Sequence, residues 1–166
     1  KEFQEGLVTI QDESSQLVAP YLSPKPGDYV LDMCAAPGSK TTHLAALMHN
    51  QGKIDAYDLY EHKIPLIQQQ LTRLQVSIVD VKAYDSTKLI ELYPPLTFDK
   101  ILLDAPCSGL GVLARKPEIK YHESNAMDEI IQIQQKLLEK RANNEEYTAD
   151  SLLNEEKQKE DRKSTR

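Results

Sequence analysis

The stretch Tyr29–Lys40, YVLDMCAAPGSK, restricts the fold more than any other part of this chain. An apolar run (Tyr29, Val30, Leu31) stops at Asp32 and breaks into a loop of small residues, Cys34-Ala35-Ala36-Pro37-Gly38. A helical pattern follows, with Leu44, Ala45, Leu47 and Met48 on one side. Strand, tight loop and helix open an α/β doubly wound parallel sheet, whose ligand sits at the carboxyl ends of the strands. The small residues let backbone come close to a ligand, and the helix start offers unpaired N–H donors.

Elimination narrows what binds there. A phosphate-cradling P-loop needs Gly directly before the Lys and another earlier in the loop. Here Ser39 precedes Lys40, and Gly38 is the loop's lone glycine. The three-glycine dinucleotide fingerprint is also absent. Asp32 stands where a pyrophosphate would have to approach, and the pattern repeats: Asp58 follows KIDAY, Asp85 follows VDVKAY and Asp104 follows DKILL. A rim of aspartates repels phosphate and attracts a ligand with cationic groups and ribose hydroxyls. S-adenosylmethionine, with a sulfonium, an ammonium and a ribose diol, fits that description.

With 166 residues the chain is one modest domain or part of a larger protein, and 40% hydrophobic content is enough for a core. A net charge of −6 excludes a global basic field for nucleic acid, so any such contact needs a local patch. Cys34 and Cys107 both lie in loop motifs rather than a stapling pattern, which points to a reducing cytoplasm. His43, His49, His62 and His122 lack ligand spacing, so no metal is expected. No apolar run approaches a membrane span.

Along the chain, Asp12 is the expected N-cap of a helix whose apolar stripe is Leu17, Val18, Tyr21 and Leu22. Ser23-Pro24-Lys25-Pro26-Gly27 turns the chain into the first strand. Asn50-Gln51-Gly52 stops the key helix, and a second strand runs from Ile54 to Tyr57. The next helix begins near Lys63 with Pro65 in its first turn and turns Ile67, Leu71 and Leu74 to the sheet. A third strand takes in Val76, Ile78, Val79 and Val81, a short helix spans Ser86 to Leu92, and a fourth strand covers Lys100 to Leu103. The loop DAPCSGLGVLARKPEIKY is too long for a mere connector. A helix capped by Ser124 follows, and from about Lys140 the polar text reads as a solvated helix or a disordered tail.

Four stretches carry a specific resemblance: QDESSQL at Gln11 to Leu17, LDMCAAPGSKTTHLA at Leu31 to Ala45, DAPCSGLGV at Asp104 to Val112, and RKPEIKY at Arg115 to Tyr121. Together they resemble the catalytic domain of the RsmB (Sun) family, methyltransferases acting on carbon 5 of a cytosine in 16S ribosomal RNA. The resemblance covers roughly Phe3 to Glu139 and implies a Rossmann-like methyltransferase sheet of order 3-2-1-4 in domain 1–139, followed by a tail, 140–166, unlike the family. It puts the methionine part of S-adenosylmethionine on Cys34, Ala35, Ala36, Pro37, Gly38, Ser39 and Lys40. Asp58 would take the ribose hydroxyls, Asp85 would lie near the adenine, and Asp104 would border the sulfonium.

The family chemistry adds a thiolate to carbon 6 of the ring, making carbon 5 nucleophilic enough to take the methyl group. Cys107 matches the cysteine that assists product release, a catalytic role distinct from the attack itself. The local basic cluster Arg115, Lys116 and Lys120 is expected to contact RNA phosphates. Two departures stand out. Gly38-Ser39 replaces the family's Gly-Gly, and nothing after Glu139 resembles the strand ending in Thr-Cys that bears the nucleophile. The chain therefore reads as truncated, with cofactor binding, little turnover and possible self-association through an open sheet edge expected. Two alternatives stay open: a non-catalytic cofactor- and RNA-binding module, and a DNA cytosine methyltransferase using Cys107.

Overall fold

The structure is a computed structural model that describes residues 1–94, 96–105, 132, 135 and 136. Asp12 caps α1 (Glu13–Gln16), accepting from the Ser14 backbone N–H, and α2 (Val18–Leu22) follows directly. One helix with one stripe was expected, but the chain breaks at Leu17. Pro20 lacks the N–H that a continuous helix would bond to Gln16, and its ring crowds that carbonyl. The break turns Leu17 and Tyr21 outward, 70% and 94% exposed, while Val18 and Leu22 pack on the core.

The sheet comprises β1 (Tyr29–Asp32), β2 (Lys53–Asp58), β3 (Val79–Ala83) and β4 (Lys100–Leu102) in the order β3-β2-β1-β4, with every neighbouring pair parallel. This is the expected order. Between the strands run α3 (Ser39–Leu47) and α4 (Ile64–Arg73), and a 3₁₀ turn covers Ser86–Glu91. The third strand starts later than its apolar spacing predicts. Val76 donates its N–H to the Leu71 carbonyl at the end of α4, so it belongs to the connection. Val76 and Ile78 still pack against the core, which is why the sequence marks them as apolar.

Alternation along the strands sorts the core into two layers. Val30, Ile54, Ala56 and Leu102 face α2, α3 and α4, where Leu44, Ala45, Met48, Ile67 and Leu71 bury against them. Leu31, Tyr57 and Ile101 face the opposite way, against Met33 and Leu89, with Tyr84, Tyr93 and Phe98 at the margin. Each fully buried Leu or Ile contributes roughly 1.5–3 kcal/mol relative to exposure, so this packing dominates the stability of the sheet. No described helix is long and apolar enough to cross a membrane.

Register determines where the rim acids lie. Asp32 stands level with Ala56 on β2 and Leu102 on β4, and Asp58 stands level with Ala83 on β3. Asp58 and Asp104 therefore rise beyond Asp32 on either side, and Asp85 rises beyond Asp58. The chain winds outward from β1 through β3, then crosses back to β4. Such a switch of direction leaves a crevice at the carboxyl ends, here between β1 and β4.

Candidate functional site

The loop after β1 is pinned to both neighbouring strands. Met33 N–H donates to the Leu102 carbonyl at 3.0 Å, Ala35 N–H to Tyr57 O at 2.8 Å, and Gly38 N–H to Ala35 O at 2.7 Å. Gly38 enters α3 with φ of 99°, in the left-handed region that glycine tolerates. A Cβ there would sit 3.2 Å from Ile67 on α4, so this glycine also sets how closely loop and helix approach.

Four carboxylates line the rim, each held differently. Asp32, 1% exposed, accepts from Thr41 Oγ1 at 2.7 Å and from Cys34 N–H at 3.3 Å. Burial pushes its pKa up to about 6 despite those two bonds, with nearby Asp104 adding to the rise and Lys40 opposing it. Asp58, 6% exposed, accepts from Ala36 N–H at 3.2 Å and Tyr60 N–H at 3.1 Å, with Lys63 Nζ at 3.7 Å. It thereby joins the end of β2 to the loop after β1. Asp85 caps the 3₁₀ turn through Thr87 N–H at 3.0 Å and Thr87 Oγ1 at 2.7 Å, its other oxygen 3.9 Å from Lys88 Nζ. Asp104 is half exposed and pairs with Lys40 Nζ at 2.6 Å.

A small cleft is lined by Asp32, Cys34, Ala35, Ala36, Pro37, Ser39, Lys40 and Asp104. These are the loop residues singled out from the sequence except Gly38, together with two of the acids. The Cys34 thiol is a poor nucleophile: burial first, then the fields of Asp32, Asp58 and Asp104, push its pKa up to about 12. The remaining expected residues, Cys107, Arg115, Lys116 and Lys120, lie outside the described residues, as do the tail and all of the helix expected from Ser124 except the helical residues 132, 135 and 136. Among the described residues no group of His, Cys, Asp and Glu could hold a metal ion.

Sequence reasoning missed two features. Thr41 is one, a helix residue whose hydroxyl reaches back to Asp32. The other is Asp55, a carboxylate in mid-strand, where β2 reads as apolar. Burial works against its charge, but hydrogen bonds from Tyr29, Tyr93 and Lys53 hold its carboxyl below the usual range. The signal was a charged letter inside an apolar run, flanked by a lysine two residues earlier.

A parallel sheet of this order, with an acidic rim at its switch point, is the Rossmann-like sheet of S-adenosylmethionine-dependent methyltransferases. The model of the 16S rRNA methyltransferase RsmB/F family matches residues 19–148, and the chain belongs to that family. It is 50% identical over 119 residues to a probable ribosomal RNA small subunit methyltransferase B of Bacillus subtilis, an alignment covering 72% of this chain and 27% of that protein. It is 43% identical over 113 residues to the human tRNA (cytosine(72)-C(5))-methyltransferase NSUN6, covering 61% of this chain and 24% of that one. The crystal structure of NSun6 from Pyrococcus horikoshii with SFG superposes with a TM-score of 0.79 at 34% identity, over 87% of this chain and 37% of that one. The chain thus spans about a quarter to a third of the length of these relatives.

Proposed function

We propose that this chain forms the cofactor-binding part of an RNA (cytosine-C5) methyltransferase that uses S-adenosylmethionine and acts on 16S ribosomal RNA. The observation that carries the reading is the acidic rim at the β1–β4 switch point. Its donor set is anionic and acceptor-rich, suited to a ribose diol, an ammonium and a sulfonium, and hostile to pyrophosphate. The family membership and the relative solved with SFG, an S-adenosylmethionine analogue, support the same reading.

When bound, the cofactor supplies a methyl group made electrophilic by its sulfonium. The chain's own residues orient it. Asp58 keeps acceptor capacity beyond its two backbone bonds and takes the ribose hydroxyls. Loop 34–40 offers close backbone approach to the methionine part. Asp104 faces the cationic sulfur, and Lys40 limits the excess negative charge there. Asp85, held by Thr87, borders the adenine. Cys107, three residues past Asp104, assists product release, and Arg115, Lys116 and Lys120 contact RNA phosphates.

Titration calorimetry of the 166-residue chain with S-adenosylmethionine, ATP and NAD tests the cofactor assignment. Binding of S-adenosylmethionine with no heat from the other two is expected, and the reverse preference would refute the reading. Tritiated-methyl transfer to 16S ribosomal RNA tests the reaction. This polypeptide, whose two cysteines are Cys34 and Cys107, is expected to show little or no turnover.

A further inference from the structure

We propose that Asp32 is a positioning residue of the rim: its carboxylate clamps both ends of the loop after β1, and the clamp loosens when that carboxylate takes a proton. The inference rests on the reading of the rim as an adenosyl-cofactor site. One oxygen accepts from Cys34 N–H at 3.3 Å and the other from Thr41 Oγ1 at 2.7 Å. Cys34 and Thr41 bracket the whole loop 34–40, so a single side chain ties its entry from β1 to the first turn of α3. Thr41 is fully buried alongside Asp32, so water does not replace the bond between them.

An ionised carboxylate makes charge-assisted bonds, roughly twice as strong as neutral ones. Protonation turns one oxygen into a donor, and the Thr41 hydroxyl must then reverse or let go. The groups facing Asp32 are Lys40 on α3, which favours its charge, Asp104 beyond β4, which opposes it, and the neutral Cys34 thiol. Burial outweighs these and brings the titration to about pH 6, within reach of ordinary buffers. The mechanism does not use Asp32 for ligand contact. Its effect travels through the position of the loop.

The experiment has two readouts on the same protein, with Asp32→Asn as a fixed mimic of the protonated state and Thr41→Val removing one arm of the clamp. The first is the Cys34 amide resonance without ligand, followed by NMR from about pH 4.5 to about pH 7.5. It should titrate near pH 6 in the parent chain and stay flat in Asp32→Asn. The second is calorimetry with S-adenosylhomocysteine, which lacks the sulfonium charge and so reports loop position rather than direct attraction. Its affinity should weaken roughly fivefold as the pH falls through that window. Asp32→Asn should hold the weak value throughout, and Thr41→Val should fall between the two.

A flat Cys34 amide in the parent chain would overturn the clamp. So would a pH effect confined to S-adenosylmethionine, since that would make Asp32 a direct charge. A titrating amide with neither ligand bound would uphold the clamp and reject the cofactor reading instead.

Discussion

Lys40 Nζ lies 2.6 Å from Asp104 Oδ2, joining the first turn of α3 to the chain just beyond β4. The pair spans the switch-point crevice and is the one described salt bridge that crosses from the β1 loop to the β4 side. Asp104 is 48% exposed at its side chain, so solvent screens the attraction and the pair stabilises the fold by less than about 1 kcal/mol. Asp104→Asn should leave unfolding by urea almost unchanged. Calorimetry should show S-adenosylmethionine binding weakened by about tenfold, with S-adenosylhomocysteine affected much less because it lacks the positive sulfur.

Asp58 behaves differently because it is buried and holds two backbone N–H groups. Asp58→Ala strands the donors of Ala36 and Tyr60, at a cost of about 1–3 kcal/mol. A urea melt should register that loss, and cofactor binding should vanish. Asp58→Asn keeps one acceptor and should recover much of the stability but little of the affinity.

Asp32 should show a conflict between stability and binding. Its pKa is raised from 3.8 to about 6, so between those values the folded chain holds a proton that the unfolded chain releases. That contribution is complete at acid pH and is lost as the pH rises through about 6. The ionised side chain therefore costs the fold up to about 3 kcal/mol at neutral pH. Asp32→Asn should raise the melting temperature at about pH 7 and leave it nearly unchanged at about pH 4, even as it weakens binding.

Gly38 is constrained by conformation and by space. Gly38→Ala puts a side chain at φ of 99° and 3.2 Å from Ile67, so loop and α4 must separate. The expected cost is about 1–2 kcal/mol in a denaturant melt, with a further loss of cofactor affinity.

Cys34 should be chemically quiet. With its thiol pushed up to about 12, little thiolate exists at neutral pH. Iodoacetamide should label it far more slowly than a free thiol in mass spectrometry. Cys34→Ala should keep cofactor affinity within about threefold, because this small residue packs against the core beside Met33 and Leu31.

The sheet was legible in the sequence because an acid stands at the end of each strand or two residues past it, a pattern that needs no tertiary information. Gly38 and Pro65 likewise marked where helices begin. What escaped was tertiary. Pro20 broke the first helix at Leu17 because a ring one turn onward outweighs an apolar stripe. Val76 and Ile78 looked like strand because apolar spacing reports burial, and both pack, partly buried, beside the strand rather than in it. Thr41 was overlooked because hydroxyls in helices usually bond locally, and its reach to Asp32 exists only once β1 and α3 are docked.

The acids also differ in how far their anchoring reaches along the chain. Asp85 is secured within its own crossover by Thr87, whereas Asp58 depends on Ala36 in a neighbouring one. Replacing the segment after β3 therefore reaches Asp85 and its Thr87 partner while leaving the tie between Asp58 and the β1 loop undisturbed. A swap of the segment after β1 disturbs both the loop and the anchoring of Asp58. One end of the acidic rim is thus held by its own segment, and the other is tied to the loop of a neighbouring strand.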